Sequence, residues 1–288
     1  MTKTLIIVRN SFRRNIGVKK PHLLWMLAMA VASLAAPVSG LAQQPSGVFG
    51  VSPGTDCYKS FNIGTLAYCV SSHGNIVRLK APVQGPEHIR VGDIREGYAV
   101  CTAAPGNLPQ ASHGAGNTES GFINPPTIIE GPDSITIIRT TALSNLKLTQ
   151  TFTHNPAERE IVITMTVQNL NREDRWVRLD RYFDGDIAGD ADDDRYNRSA
   201  DAVWGEDGSH VVVLSDVTST TDPSITHSTS IQAFGVFNAA DCAQASVAAP
   251  THPGDYVGRL SYELGIIPGF YNVHGGGQKT VRVQYRYL

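Results

Sequence analysis

Two consecutive stretches of this chain alternate, residue by residue, between apolar and polar side chains. Residues 146–153 place Leu, Leu, Gln and Phe on one side and Lys and three Thr on the other. Residues 161–168 place Ile, Ile, Met and Val opposite Val, Thr, Thr and Gln, and the turn sequence Asn-Pro-Ala-Glu lies between the stretches at 155–158. A period of two and many β-branched residues are typical of half-buried strands. We therefore predict an antiparallel hairpin here.

Segments of similar character recur along the chain, and we predict further strands at 66–70, 75–79, 98–102, 177–183, 211–214, 231–237 and 280–287. Residues 135–138 and 211–214 are continuous apolar runs, which predicts strands buried on both faces. Residues 255–264 are the only candidate for a short helix. The Gly- and Pro-rich stretch 103–126 is predicted to be a long surface loop.

Many short strands joined by turns predict an all-β fold, a large antiparallel β-sandwich. A β-barrel is the structural alternative. One face of the last predicted strand presents Arg282, Gln284 and Arg286. A lipid-facing band would need apolar groups at those positions, so the pattern argues against a membrane barrel.

Residues 1–42 are predicted to be an export signal. Six basic residues and no acidic residue precede an apolar run at 23–36, and the small-residue site Gly40-Leu41-Ala42 follows it. A run this short, with a cleavage-like site behind it, indicates a signal peptide rather than a membrane anchor. We therefore expect 43–288 to be one secreted or periplasmic β-sandwich domain with no transmembrane span.

The charge balance argues against a nucleic-acid partner. The chain has 24 basic and 26 acidic residues, and the predicted signal holds six of the basic ones. Residues 43–288 then have 18 basic and 26 acidic residues, a net charge of −8. A chain of this charge, with no basic stripe, repels nucleic acid.

The four cysteines are Cys57, Cys69, Cys101 and Cys242. An even number in an exported chain predicts two disulfides, for which three pairings exist. We favour Cys57–Cys69, which closes a short loop, together with Cys101–Cys242, which closes a long loop and restricts the unfolded chain more. Zinc is disfavoured because no CxxC pair exists.

Seven aspartates fall within the fifteen residues 180–194. Clustered carboxylates repel one another, and a calcium ion, which takes six to eight oxygen ligands, would relieve that repulsion. The best candidate ligands are Asp184, Asp186, Asp190 and Asp192. The helix–loop–helix calcium pattern is not matched, because Ala188 and Arg195 stand where it needs an oxygen ligand and a bidentate acid.

Two simpler interpretations of the same segment stay open. A run of charge is commonly a solvated loop without a specific ligand. Aspartates also close turns by hydrogen-bonding their own backbone. Asp180, which lies on a predicted strand beside Arg178 and Arg181, is expected to pair with one of those two arginines.

Other catalytic chemistry has weaker support in the sequence. Asp184, Asp186, Glu206 and Asp207 are acids from which a glycoside hydrolase pair could be drawn. No strand–elbow–helix unit around a GxSxG sequence is predicted. Four aromatic residues flank the acidic segment and are either a sugar-stacking platform or, as we favour, part of the core: Trp176, Tyr182, Tyr196 and Trp204.

Four short runs resemble secreted bacterial proteins of unassigned function: Tyr-Cys-Val-Ser-Ser-His-Gly-Asn-Ile at 68–76, Glu-Gly-Tyr-Ala-Val-Cys at 96–101, Val-Gln-Asn at 167–169, and Arg-Leu-Asp-Arg-Tyr-Phe-Asp-Gly-Asp at 178–186. The resemblance spans about 68–200 and implies a super-β-sandwich similar to galactose mutarotase-like domains. It supplies no catalytic motif, and the His and Glu pair of mutarotases has no assigned position in this sequence.

The leading hypothesis is an exported, non-catalytic β-sandwich protein that binds a ligand or surface, such as a glycan or cell-surface component, with a calcium-stiffened loop. The absence of a recognisable catalytic set favours it. One alternative is a carbohydrate-active enzyme using acids near 184–207. The other is a structural component of the cell envelope.

Overall fold

The alternating hairpin forms the centre of a large antiparallel sheet. The computed structural model describes residues 56–89, 96–103, 110–115, 119–155, 157–190, 193–219, 221–242, 250–266 and 277–288. Within these ranges the chain forms sixteen strands in three antiparallel sheets and no α-helix. The all-β sandwich is confirmed, and no sheet of the described part closes on itself.

The largest sheet has eight strands in the order β11-β12-β13-β16-β9-β8-β7-β6. Its strands are β6 (Thr127–Gly131), β7 (Ser134–Thr140), β8 (Leu146–Asn155), β9 (Glu160–Asn169), β11 (Arg195–Arg198), β12 (Ala202–Asp207), β13 (His210–Asp216) and β16 (Gln278–Tyr287). Along β9 every second residue is buried, as its alternating sequence predicts.

The second sheet has five strands in the order β14-β15-β10-β4-β5. Its strands are β4 (Glu96–Ala103), β5 (Gln110–Ala115), β10 (Arg175–Asp184), β14 (Ile225–Ala233) and β15 (Tyr256–Ile266). The third sheet is the meander β1 (Lys59–Ile63), β2 (Leu66–Val70) and β3 (Ile76–Lys80). Side chains from all three sheets meet in one apolar cluster, which is the core of the sandwich.

Three sequence predictions are wrong in detail. The candidate helix 255–264 is instead strand β15 from Tyr256 onward. Its residues Leu260 and Leu264 pack into the core, and Val257 packs into a second apolar cluster on the other face of the sheet. The predicted loop 103–126 contains strand β5, which pairs along β4. The end of the predicted strand 231–237 is a 3-10 turn, Phe234–Val236.

The strands buried on both faces are not the ones that continuous apolar runs predicted. Strands β7 and β13, which contain the runs 135–138 and 211–214, alternate between buried and half-buried residues. Strands β10 and β15 are instead enclosed on both sides. Because their outer faces present charged and polar side chains, a search for continuous apolar segments does not identify β10 and β15 as buried strands.

Both predicted disulfides are confirmed. Cys57 pairs with Cys69 of β2, and Cys101 of β4 pairs with Cys242, which follows β14. These bonds fit an oxidising compartment. Among the described residues no helix is long and apolar enough to cross a membrane. The predicted signal, 1–42, lies outside the described residues, so its cleavage and the limits of the mature domain stay predictions.

We predict that the two disulfides contribute unequally to stability. Cys101 and Cys242 are 141 residues apart, whereas Cys57 and Cys69 are 12 apart. Closing the longer loop restricts the unfolded chain more, so the double variant C101A/C242A should lose about 4–5 kcal/mol and C57A/C69A about 2–3 kcal/mol. Urea unfolding of both variants measures the difference. An equal loss would show that loop entropy does not set the order.

Candidate functional site

The aspartate-rich segment leaves the end of the central strand β10. Asp184 ends that strand and is buried, as is Asp186 two residues later. A 3-10 turn, Ile187–Gly189, then reverses the chain with Ala188 in the left-handed region at φ 59°. Asp190, just after the turn, is exposed. Two of the predicted ligands are therefore enclosed and one faces solvent.

The calcium hypothesis is untested by this geometry. Asp192, the fourth predicted ligand, lies outside the described residues. Asp184, Asp186 and Asp190 all have polar or electrostatic partners. No group of three or more His, Cys, Asp or Glu side chains in the described ranges is arranged to hold a metal ion. Calcium binding by this segment stays a prediction.

Two side chains beyond the turn hold the segment in place. The Tyr196 hydroxyl accepts a hydrogen bond from the Gly185 amide at 2.7 Å and lies 3.1 Å from the Gly185 carbonyl oxygen, to which it can donate. The Ile187 amide donates to Asp194 Oδ2 at 3.0 Å. Tyr196 and Asp194 are both buried, so the turn is fixed by contacts that sequence spacing alone does not reveal.

Asp194 is the most unusual carboxyl group of the segment. Its side chain is enclosed, with 1% of the residue exposed, and Oδ1 has no hydrogen-bond partner. Burial raises the pKa of Asp194 to about 8; the Ile187 amide opposes this rise, and the carboxylates of Asp186, Asp207 and Asp190 add to it. The carboxyl group is therefore protonated in much of the protein at neutral pH.

A polar cleft lies next to this carboxyl group. Its main part has a volume of about 440 Å³ and is lined by Asp193, Arg195, Glu206, Asp207, Gly208 and Pro253. An adjoining part of about 230 Å³ shares Arg195, Glu206 and Pro253 and adds Tyr196, Asn197, Pro250, Thr251 and His252. The larger volume falls within the range of small-molecule sites, roughly 300–1,000 Å³.

The β11–β12 hairpin supplies most of the cleft. Arg195 of β11 stands opposite Glu206 of β12 in the antiparallel register. Asp207 ends β12, and the turn into β13 needs the left-handed Gly208 at φ 56°. The opposite wall approaches β15 and is tied to the hairpin by a hydrogen bond from the Gly254 amide to the Asp194 carbonyl oxygen at 2.9 Å.

The predicted pairing of Asp180 is confirmed for one of its two candidate partners. Asp180 Oδ1 accepts a hydrogen bond from Arg178 Nε at 3.0 Å, and Oδ2 lies 3.3 Å from Arg259 Nη1. Phe237 packs over Arg259, and the Cys242 carbonyl oxygen accepts a bond from Arg178. These charges are therefore covered on the outer face of the five-stranded sheet and hold the chain that follows β14.

Arg181 points to the opposite face and pairs with Glu96 between the sheets. The Glu96 carboxylate lies beside Arg181 Nε and accepts a hydrogen bond from the Tyr285 hydroxyl at 2.9 Å. Burial raises the pKa of Glu96 to about 7, although Arg181 and the hydrogen bonds oppose the rise. This fully enclosed pair joins strands β4, β10 and β16, and we assign it a structural role.

The structure brings together a His and Glu pair that the sequence did not. His73 Nδ1 is in hydrogen-bond contact with Glu119, whose other oxygen meets Arg139 Nη2 at 2.5 Å. Burial favours a higher pKa for Glu119, but the bonds from His73 and Arg139 outweigh it and hold the pKa below its usual value. Arg139 also donates to the Tyr98 hydroxyl at 3.1 Å. The His73–Glu119 pair is therefore part of a hydrogen-bond network that includes Arg139 and Tyr98.

The four aromatic residues do not form a common sugar-stacking platform. Tyr182 and Tyr196 are buried, which confirms the core interpretation for these two. Trp176 is 43% exposed but stands at the start of β10, at the other end of the strand from the acidic segment. Trp204 is half-buried on β12.

Comparisons with known proteins identify the fold but no family. No family model matches the chain, and no curated protein matches it. A bacterial glucoamylase complexed with acarbose superposes with a TM-score of 0.52 at 9% identity, over 81% of this chain and 33% of that chain. A protein described as an aldose 1-epimerase from Escherichia coli K12 superposes with a TM-score of 0.44 at 10% identity, over 80% of this chain and 98% of that chain.

The likeness to the glucoamylase is one of fold. This chain corresponds to about a third of the glucoamylase chain, so the shared part is one section of a larger protein. The class that fold and comparison define is an all-β sandwich, which a section of the glucoamylase chain shares.

We predict that Asp194 makes the stability of the protein fall as pH rises. Because the folded-state pKa of about 8 lies above that of an unfolded aspartate, the unfolded chain loses its proton first, and folding stability declines from about pH 4 to about pH 8. In Asp194→Asn this contribution is absent. We expect the free energy of unfolding of the variant, relative to that of wild type, to increase by roughly 1–3 kcal/mol between pH 5 and pH 8, as measured by urea unfolding.

Asp174→Asn, on the exposed turn before β10, is the matched control and should follow the wild-type profile. An Asp194→Asn profile parallel to that of wild type would mean that Asp194 ionises as an ordinary surface carboxyl group.

Proposed function

We propose that this is an exported carbohydrate-binding protein whose ligand occupies the cleft beside the aspartate-rich segment. The observation that supports this most is the cleft itself, which is about 440 Å³ in volume and lined mainly by charged and polar side chains. The β11–β12 hairpin supplies much of this lining from strand positions, which hold side chains more rigidly than loops do.

The lining suits a ligand with many hydroxyl groups. Arg195 and Asn197 provide hydrogen-bond donors, and Asp193, Glu206 and Asp207 provide acceptors. Each sugar hydroxyl both donates and accepts, so a mixed set of this kind satisfies it better than it satisfies an apolar ligand. The likeness in fold to a glucoamylase complexed with acarbose supports the same class of ligand.

The proposed role is binding without chemical change, because no catalytic set is recognisable in the sequence. One observation favours an enzyme as second candidate. Asp194, with its raised pKa, is a carboxyl group able to donate a proton, and it lies near Asp207, which lines the cleft. Glycoside hydrolysis needs such a protonated acid together with an ionised partner.

We predict that saccharide binding depends on the carboxylates of β12. The double variant Glu206→Gln/Asp207→Asn should bind a saccharide retained by wild type at least tenfold more weakly, because it loses two charge-assisted hydrogen bonds. A glycan array identifies the saccharide, and calorimetry measures the affinity. Asp174→Asn is the matched control.

Retention of no glycan by folded wild-type protein would overturn the proposal, as would equal affinity in the double variant with an unchanged melting temperature. Chromatography of the retained saccharide after incubation separates the two candidates, since a cleaved product would replace the binding role with the enzymatic one.

We also propose that the aspartate-rich segment binds calcium through Asp184, Asp186 and Asp190, with Asp192 as a further ligand. An ion that binds only the folded state stabilises it, so saturating calcium should raise the melting temperature by about 5 °C or more, and magnesium should do less. In Asp184→Asn/Asp190→Asn the calcium effect should disappear. Equal melting curves of wild type with calcium and with a chelator would refute the site.

A further inference from the structure

The charges of the cleft do not balance. Three carboxylates, Asp193, Glu206 and Asp207, line its main part, together with a single guanidinium, Arg195. Arg195 stands opposite Glu206 across the hairpin, where cross-strand pairs of opposite charge attract one another. Within the described ranges no basic side chain forms an ion pair with Asp193 or Asp207. Two negative charges are left facing the cleft.

Further acidic side chains lie behind the cleft, around the buried Asp194. Asp194 is 1% exposed, and its Oδ1 atom has no hydrogen-bond partner. The charges that act on it include Asp186, Asp190 and Asp207, the last of which lines the cleft. The neighbouring carboxylates of Asp186 and Asp190 add negative charge to the region around the cleft.

We propose that the saccharide bound in this cleft is an amino sugar with a free, positively charged ammonium group. This inference rests on the proposed carbohydrate-binding function and specifies its ligand class. The ammonium group offers three donors and a positive charge to Asp193 and Asp207. The sugar hydroxyls meet Asn197, Thr251 and His252 in the adjoining part of the cleft.

Other saccharide classes fit the cleft less well. A neutral sugar would cover these two carboxylates without supplying a counter-charge, which weakens binding. An acidic sugar adds like charge to the same space and is repelled. Low-salt conditions should strengthen the attraction for an ammonium group, since the cleft is open to solvent and its charges are screened.

The test compares two oligosaccharides of the same backbone, one with charged amino groups and one with neutral N-acetyl groups. Calorimetry at pH 6 uses a glucosamine tetramer with free amino groups and the same tetramer fully N-acetylated. Wild type should bind the free amine at least tenfold more tightly at 20 mM NaCl, and this preference should fall several-fold at 500 mM NaCl. Asp207→Asn should reduce the preference, and the exposed control Asp174→Asn should keep it.

A third arm uses spermidine, a cation without a sugar. Spermidine binding much weaker than the glucosamine tetramer supports the proposal, and equal or tighter binding overturns it in favour of a general cation site. Equal or tighter binding of the N-acetylated tetramer overturns the charge inference and leaves the carbohydrate function standing. If folded wild type retains no saccharide of any class on the array, the proposed function itself fails.

Discussion

Strand β10 is enclosed on both faces, and the rest of the structure depends on how each face is satisfied. On the inner face Val177, Leu179 and Phe183 pack into the core shared by the sheets. On the outer face Asp180 is paired with arginines, and Tyr182 packs against Phe237. The strand ends at the aspartate-rich segment, so the packing of a central strand determines where the candidate site begins.

The buried charges around β10 contribute more to the alignment of the strands than to the stability of the fold. A buried ion pair gains little over well-packed apolar groups, but removing one partner leaves an uncompensated charge at a cost of about 3–5 kcal/mol. Glu96 and Arg181 meet between the sheets, with Tyr285 bonded to the same carboxylate. We infer that this network specifies how β4, β10 and β16 lie against one another, because a shifted register would leave a buried charge without its partner.

Many strand positions could be predicted because the alternation that indicates a strand is local in the sequence. Both disulfides could be predicted because four cysteines have few possible pairings. The hairpin of β8 and β9 follows from a period of two, and four cysteines allow only three arrangements. The identity of β15 could not be read from its sequence, since Arg259 and Ser261 are polar but buried, and Glu263 is half-buried. The importance of Asp194 was equally hidden, because the burial that raises its pKa exists only in the folded structure.

The sequence by itself determined that the chain is built of short antiparallel strands, that its cysteines pair in two bonds, and that one segment concentrates negative charge. These properties depend on side-chain periodicity, cysteine number and composition, which are present before folding. Only the tertiary structure decided which aspartates are enclosed, that Glu206 and Asp207 lie in one cleft with Arg195, and that Asp180 meets Arg259. Asp180 and Arg259 are far apart in the chain, and the desolvation that changes the chemistry of a buried carboxyl group exists only once the sheets have packed.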